Sequence, residues 1–303
     1  SRLENETMAL EQMRELRDDF ALRGRCEMFR VDLHSMAAAH QLHQGTSLRN
    51  HQVWAKLPHF QRLLTIRNAQ PAEEDEDILQ FFREHHDPLI YMERHAMKRG
   101  EFRKLISPLV RSGHLVQDYR GGFKTVEPLS DIDLWEVKRD YLRELVRDYP
   151  VISLRQVERL AGSPFSAEEI SDVMHEFEED GTLIKGFLVD DLQDICWGRQ
   201  DLLEGLGGLR KCRDLVVPPS DNLIHYFGGI LRERFSFGSA YMVFHNEEAI
   251  AAFKANTRDG TIEVTDFVGD SDLEKEALRV MKEFAWEHDT KLTGKLYEKL
   301  RSR

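Results

Sequence analysis

Apolar residues recur at helical spacing through most of the first two thirds of the chain and give way to short strand-like runs from Leu215 onward. Residues 1–70 read as helical, from MALEQMRELRDDFALRGR through SMAAAHQLH to VWAKLPHFQRLLTIR, with Gly45 and Pro58 as breaks. The acidic run Glu73 to Asp77 marks a boundary. Beyond it Ile78, Phe81 and Phe82 share one stripe of a helix that ends before Asp87-Pro88, an N-cap and first-turn proline for a second helix through Met92. A third helix places Phe102, Leu105, Ile106, Leu109 and Val110 on one buried face and Arg103, Lys104, Ser107 and Arg111 opposite it. Pro108 falls inside this helix, where it removes a hydrogen bond, so a kink or an early stop is expected. Gly113 is the predicted stop, and HLVQDY and FKTVE form two short strands around Arg120-Gly121-Gly122.

Three helices followed by a hairpin is the winged-helix plan, and it repeats. DIDLWEVKRDYLRELVRDYP places Leu134, Val137, Tyr141, Leu142, Leu145 and Val146 on one face, and SLRQVERLAG supplies a short second helix. Ser166 and Glu169 form a capping box for a third helix with Ile170, Val173, Met174 and Phe177 inward. TLIKGFLVDDLQDICW is a second hairpin turning near Asp190-Asp191. Gly113-His114-Leu115-Val116 and Gly181-Thr182-Leu183-Ile184 occupy equivalent places in the two units. After residue 215, LVVPPSDNLI, SAYMVFH and GTIEVTDFVG read as strands with turns at Asn246 and Asp259-Gly260. EEAIAAFKAN stays open between helix and strand. A final helix is expected to start at a capping box, Ser271 to Glu274, with Leu273, Ala277, Val280, Met281 and Phe284 inward.

The fold class is therefore α+β: a helical N-terminal region (1–72), a basic winged helix (73–130), an acidic winged helix (131–212) and a small C-terminal α/β domain with antiparallel, barrel-like strands (213–303). The 303 residues carry a formal charge of −12, which argues against indiscriminate polyanion binding and requires any nucleic-acid function to sit on a local patch. No apolar run reaches the roughly 18 residues of a membrane span, and no signal peptide opens the chain, so a cytoplasmic setting without membrane partners is expected. Cys26, Cys196 and Cys212 are far apart and read as reduced, packed thiols. The start at Ser1-Arg2-Leu3, without an initiating Met, suggests a trimmed tag or a fragment of something longer as the expectation.

The patch is found in the first winged helix. Lys98, Arg99, Arg103, Lys104, Ser107 and Arg111 lie on or beside its third helix, and Arg120 and Lys124 on its wing. Such a helix enters the major groove of duplex DNA while the wing contacts the backbone, so DNA is the expected partner. The equivalent helix of the second unit carries Glu168, Glu169, Asp172, Glu176, Glu178, Glu179 and Asp180 with no Lys or Arg between Ser163 and Gly181. Phosphates would be repelled there, and a basic protein partner is the alternative for that unit. The histidines His34, His40, His43, His51 and His59 fit no first-shell spacing, HExxH and phosphate-loop motifs are absent, and no metal or cofactor is expected. Asp131/Asp133 and Asp190/Asp191 fall at caps and hairpin tips, where Asp is ordinary turn chemistry.

With LVVPPSDNLIHYFGG, RERFSFG and FKANTRDGTIEV added to tandem winged helices, the sequence resembles the AlkZ (YcaQ) family of winged-helix DNA glycosylases and is similar to the related C-terminal region of Lhr-type helicases. The resemblance runs best from about Val151 to Val264 and is most specific at Pro219 to Leu223 and Lys254 to Val264. It implies a DNA-repair or helicase-accessory role. In the glycosylases, catalysis is associated with Gln-x-Gln or Gln-x-Asp, and this chain contains neither. The nearest stretch is Arg30-Val31-Asp32, which makes Asp32 the candidate catalytic residue should base excision be the activity. A DNA-binding module, a glycosylase and a protein-interaction module are thus the three functions in play.

Overall fold

In the computed structural model the described residues are Cys26, 32–147, 149, 151–188, 194–205, 214–219, 221, 224, 234–237, 240–246, 248–258 and 260–301. They fall in two compact units, one built on residues 33–207 and the other on residues 20–32 and 208–303. Both mix helices and strands.

The first unit opens with helix α1 (Leu33–Ala39) and then a hairpin, β1 (His43–Thr46) against β2 (Gln52–Ala55). This corrects the expectation of an all-helical stretch up to residue 70. The chain turns at Ser47–Asn50, where Asn50 adopts φ +60 and its N–H donates to the Ser47 carbonyl at 2.9 Å. Gly45 sits in β1 because any Cβ there would collide with the Phe60 ring. The first predicted helix, MALEQMRELRDDFALRGR, lies outside the described residues.

Helices α2 (Leu57–Arg67), α3 (Glu76–Glu84), α4 (Pro88–Arg94) and α5 (Arg99–Ser112) follow, then β3 (Leu115–Asp118) and β4 (Phe123–Thr125). Asp87 caps α4 as expected, its carboxylate accepting from the Leu89 N–H at 2.8 Å. Helix α5 does not stop at Pro108 but continues to Ser112 and ends at Gly113 with φ +94. Pro108 is exposed, so the carbonyl it leaves without a donor faces water and the break is tolerated. The core packs Phe81, Phe82, Tyr91, Phe102 and Phe123 mostly edge to face and tilted, with Phe82 stacked on Tyr91, ring centroids 5.0 to 6.2 Å apart. Strand β1 also pairs with β3, so one four-stranded sheet, β2-β1-β3-β4, crosses the expected boundary at residue 72.

The pattern of helices then a hairpin recurs in α6 (Leu134–Arg147), β5 (Val151–Ser153), α7 (Leu154–Ala161), α8 (Ala167–Glu179), β6 (Leu183–Gly186) and β7 (Cys196–Arg199), before α9 (Gln200–Gly205). The three strands order as β5-β7-β6. Val137, Tyr141, Leu142, Leu145 and Val146 are buried as the periodicity predicts, while Leu134 at the helix start is exposed. The Ser166/Glu169 capping box is present, and Ser153/Gln156 makes another. The turn near Asp190-Asp191 lies outside the described residues.

The second unit carries a five-stranded sheet curled into a half-barrel, ordered β12-β11-β10-β9-β8. Its strands are β8 (Leu215–Val217), β9 (Tyr241–His245), β10 (Glu248–Arg258), β11 (Thr261–Gly269) and β12 (Lys291–Thr293). The ambiguous EEAIAAFKAN is strand β10: Ala251, Ala252 and Phe253 are wholly buried between two neighbouring strands, an environment that overrides alanine's helical preference. Bulges between Ala249 and Ala251 and between Lys254 and Ala255 add curvature. The pairing is antiparallel except for β12, which joins β11 in parallel. Helices α10 (Glu274–Glu287) and α11 (Lys295–Arg301) cover the sheet through Met281, Phe284, Tyr297 and Leu300. The expected Ser271 capping box does not form; Ser271–Leu273 is a 3-10 turn, and α10 begins without a side-chain cap.

Asp214 ties this unit together, accepting from Arg279, from His245 Nδ1 at 2.9 Å and from the Asn246 N–H at 3.3 Å. Burial would raise its carboxyl, but the hydrogen bonds from Arg279 and His245 outweigh that and hold it below the ordinary Asp value. Stability from a depressed carboxyl is present above the unfolded value of about 3.9 and lost as pH falls through the lower folded value. Asp214→Asn is therefore expected to melt below the wild type at pH 7, with the gap closing in titrations taken below about pH 4. A gap independent of pH would show that the carboxylate charge is not what matters.

Candidate functional site

Helix α5 turns two adjacent stripes toward the sheet side of its unit. Arg99, Arg103, Ser107 and Arg111, four residues apart, form one; Phe102, Ile106 and Val110 form the other. Together they make one wall of a groove of about 1180 Å³. The remaining lining comes from the β1–β2 hairpin with Gln44, Asn50 and Gln52, from the β3–β4 turn with Arg120 to Gly122, and from Leu89 and Met92 of α4. The groove thus mixes an apolar floor, carboxamides and guanidiniums.

Of the residues anticipated from sequence, Arg99, Arg103, Ser107, Arg111 and Arg120 converge on this groove. Lys98, Lys104 and Lys124 do not line it. Lys98 precedes α5, its backbone N–H donating to Glu101 Oε2 at 2.9 Å. Lys104 projects from the exposed side of the helix, and Lys124 lies on β4 near His43, whose pKa is lowered by burial and then by that ammonium. Asp32 is exposed just before α1 and is assigned to the other compact unit, while Arg30 and Val31 lie outside the described residues. The contribution of the β1–β2 hairpin was missed because its strands are four residues long; the Ser47 to Asn50 turn was the available signal.

The groove cations have no carboxylate partners. Among the described residues Arg99, Arg103, Lys104, Arg111, Arg120 and Lys124 enter no ion pair, whereas Arg83 binds Glu76 and Glu127 at 2.6 and 2.8 Å, and Arg199 and Arg279 hold Asp201 and Glu276. The two carboxylates that line the groove are occupied by backbone: Asp87 caps α4, and Asp118 Oδ1 accepts from the N–H groups of Arg120 and Gly122 at 2.8 and 2.9 Å. That pair of bonds shapes the turn and places the Arg120 guanidinium 5.2 Å from the Tyr119 ring centroid.

The acidic helix α8 is partly neutralised within its own unit. Glu169 and Glu176 each receive a bond of 2.6 Å from α6, from Lys138 and Arg139 respectively. Among the described residues no three His, Cys, Asp or Glu side chains gather as metal ligands, and no helix is long and apolar enough to cross a membrane. Cys26 and Cys196 are buried free thiols, and Cys212 lies outside the described residues. Of the stretches most like the glycosylases, Lys254 to Val264 is the β10–β11 hairpin, and Asp221 of the Pro219 to Leu223 stretch is wholly buried.

With groove and cations in place, the fold can be set beside known structures. Its fold resembles that of a DNA glycosylase. One similar structure is Streptomyces sahachiroi DNA glycosylase AlkZ, at a TM-score of 0.60 and 12% identity over 91% of this chain and 88% of that one. No family model and no curated protein matches the sequence. The resemblance to AlkZ anticipated from Val151 to Val264 therefore holds at the level of fold, over nearly the whole chain; a likeness to Lhr-type helicases is not shown.

Asp118→Ala removes the acceptor of two turn amides. At about 1 to 2 kcal/mol per charged bond, the Arg120 and Gly122 N–H groups are expected to exchange with deuterium at least tenfold faster while α5 is unchanged. Unaltered exchange at both amides would show that the turn is held by other means.

Proposed function

We propose that the groove beside α5 binds duplex DNA, with α3 to α5 and β3–β4 acting as a winged helix and α6 to α8 with β6–β7 as a second, non-contacting one. The observation that carries this reading is the stripe of arginines with no carboxylate partner in a protein of net charge −12. Phosphates are the partners such a stripe suits, because each contact releases counterions. On this reading Arg103 and Arg111 reach phosphates or base edges, Lys104 adds charge from the outer side, Arg120 and Lys124 grip backbone from the wing, and Arg99 and Lys98 flank the helix start. The two winged helices would span 73–130 and 131–212, with the β1–β2 hairpin that precedes residue 72 joined to the first of them through β3.

Fluorescence anisotropy of a labelled duplex across a salt series tests it. Wild type is expected to bind, and Arg103→Ala/Arg111→Ala to bind more weakly with a log–log salt slope shallower by about two units, one per lost phosphate contact. Equal binding by both proteins, or none by either, would sink the proposal.

The likeness to the fold of a DNA glycosylase favours a second reading, excision of a damaged base. Asp32 would then orient water or stabilise the cationic sugar of the transition state. Wild type incubated with alkylated or uracil-containing duplex should release base and Asp32→Asn should not; no release by wild type removes this reading and leaves DNA binding standing.

A further inference from the structure

We propose that Leu89, with exposed Ile90 beside it on α4, is a fixed apolar wedge that enters the base stack of DNA held in the groove. The inference rests on the duplex-binding reading above and adds a deformation of the DNA to it.

Leu89 is 59% exposed and Ile90 48% exposed, side by side on α4, although Tyr91 next to them is buried in the aromatic core. One exposed leucine is commonplace. This pair differs in its surroundings and in how firmly it is held. Leu89 lines the same groove as Arg99, Arg103, Arg111 and Arg120, so an apolar projection shares a groove with cations that enter no ion pair among the described residues. Polyanionic backbone around a hydrophobic stack is the complement of that arrangement; an apolar protein partner would leave the guanidiniums desolvated and unpaired.

The projection is anchored from three sides. The Asp87 carboxylate accepts from the Leu89 N–H, the Phe123 N–H donates to the His86 carbonyl at 2.8 Å, and His86 Nδ1 lies 3.0 Å from the Phe123 carbonyl. Pro88 fixes the backbone between them. Gly122 lies so close to the His86 carbonyl that a Cβ there would come within 3.0 Å of it. The wing turn and the Leu89 lip are therefore one rigid edge, and little side-chain or backbone freedom remains to be lost when a base step opens around it. Phosphate contacts from α5 and the wing supply the attraction, and the wedge converts part of it into unstacking, which costs a few kcal/mol per step.

The experiment uses the full chain and a duplex carrying one 2-aminopurine, a base whose fluorescence rises when it is unstacked, with the probe stepped along the site. Wild type at saturation is expected to raise the signal severalfold at one step. Leu89→Ala/Ile90→Ala is expected to bind with an unchanged salt slope and no rise, and Leu89→Phe, which keeps an apolar wedge, to restore it. Both positions are exposed, so the fold survives these changes; circular dichroism checks that. An equal rise with the double alanine variant, binding by wild type with no rise at any step, or a shallower salt slope for the variant overturns the wedge while leaving duplex binding intact. Absence of any duplex binding by wild type overturns both readings together.

Discussion

Arg67 holds the groove unit in shape. Its guanidinium, partly buried at the end of α2, donates to the carbonyls of Thr46 and Ser47 at the end of β1 and to that of Ser112 at 3.3 Å, at the end of α5. Thr46 Oγ1 adds a bond to the Val110 carbonyl at 2.8 Å. Burial lowers the pKa of Arg67, but a guanidinium starts so far above neutrality that it remains charged. One side chain therefore satisfies the carbonyls left over at a helix end and at a hairpin turn. It also explains the glycine after α5: a Cβ at Gly113 would sit 2.5 Å from Arg67 Nη1. The two walls of the groove meet at this residue.

From that junction follows the distribution of charge. Elsewhere in the protein many cations are neutralised locally, by Glu76, Glu127, Glu169, Glu176 and Asp201 among others. Along the groove the carboxylates bind backbone amides instead, so the arginines of α5 enter no ion pair among the described residues. In an acidic protein a local basic groove concentrates positive potential in one place.

The likeness to the fold of AlkZ extends over most of both chains at 12% identity. Such low identity is compatible with one fold because the pattern of buried positions, rather than particular side chains, selects the architecture. A shared fold does not carry activity with it, since activity depends on particular side chains.

Amphipathic periodicity and turn chemistry were enough, from sequence alone, for α3 to α8, the β3–β4 hairpin, the Asp87 and Ser166 caps and the basic stripe of α5, because each is a local regularity with a buried face or a satisfied terminus. The β1–β2 hairpin, the strand character of Ala249 to Phe253, the passage of α5 through Pro108 and the missing cap at Ser271 were decided by the tertiary structure. In each of these, partners distant in sequence or an exposed position for the offending residue outweighed local propensity. The groove belongs to the same class: Gln44, Leu89, Arg103 and Arg120 come from four separate elements, and only the pairing of β1 with β3 and the bonds of Arg67 and His86 bring them to one place.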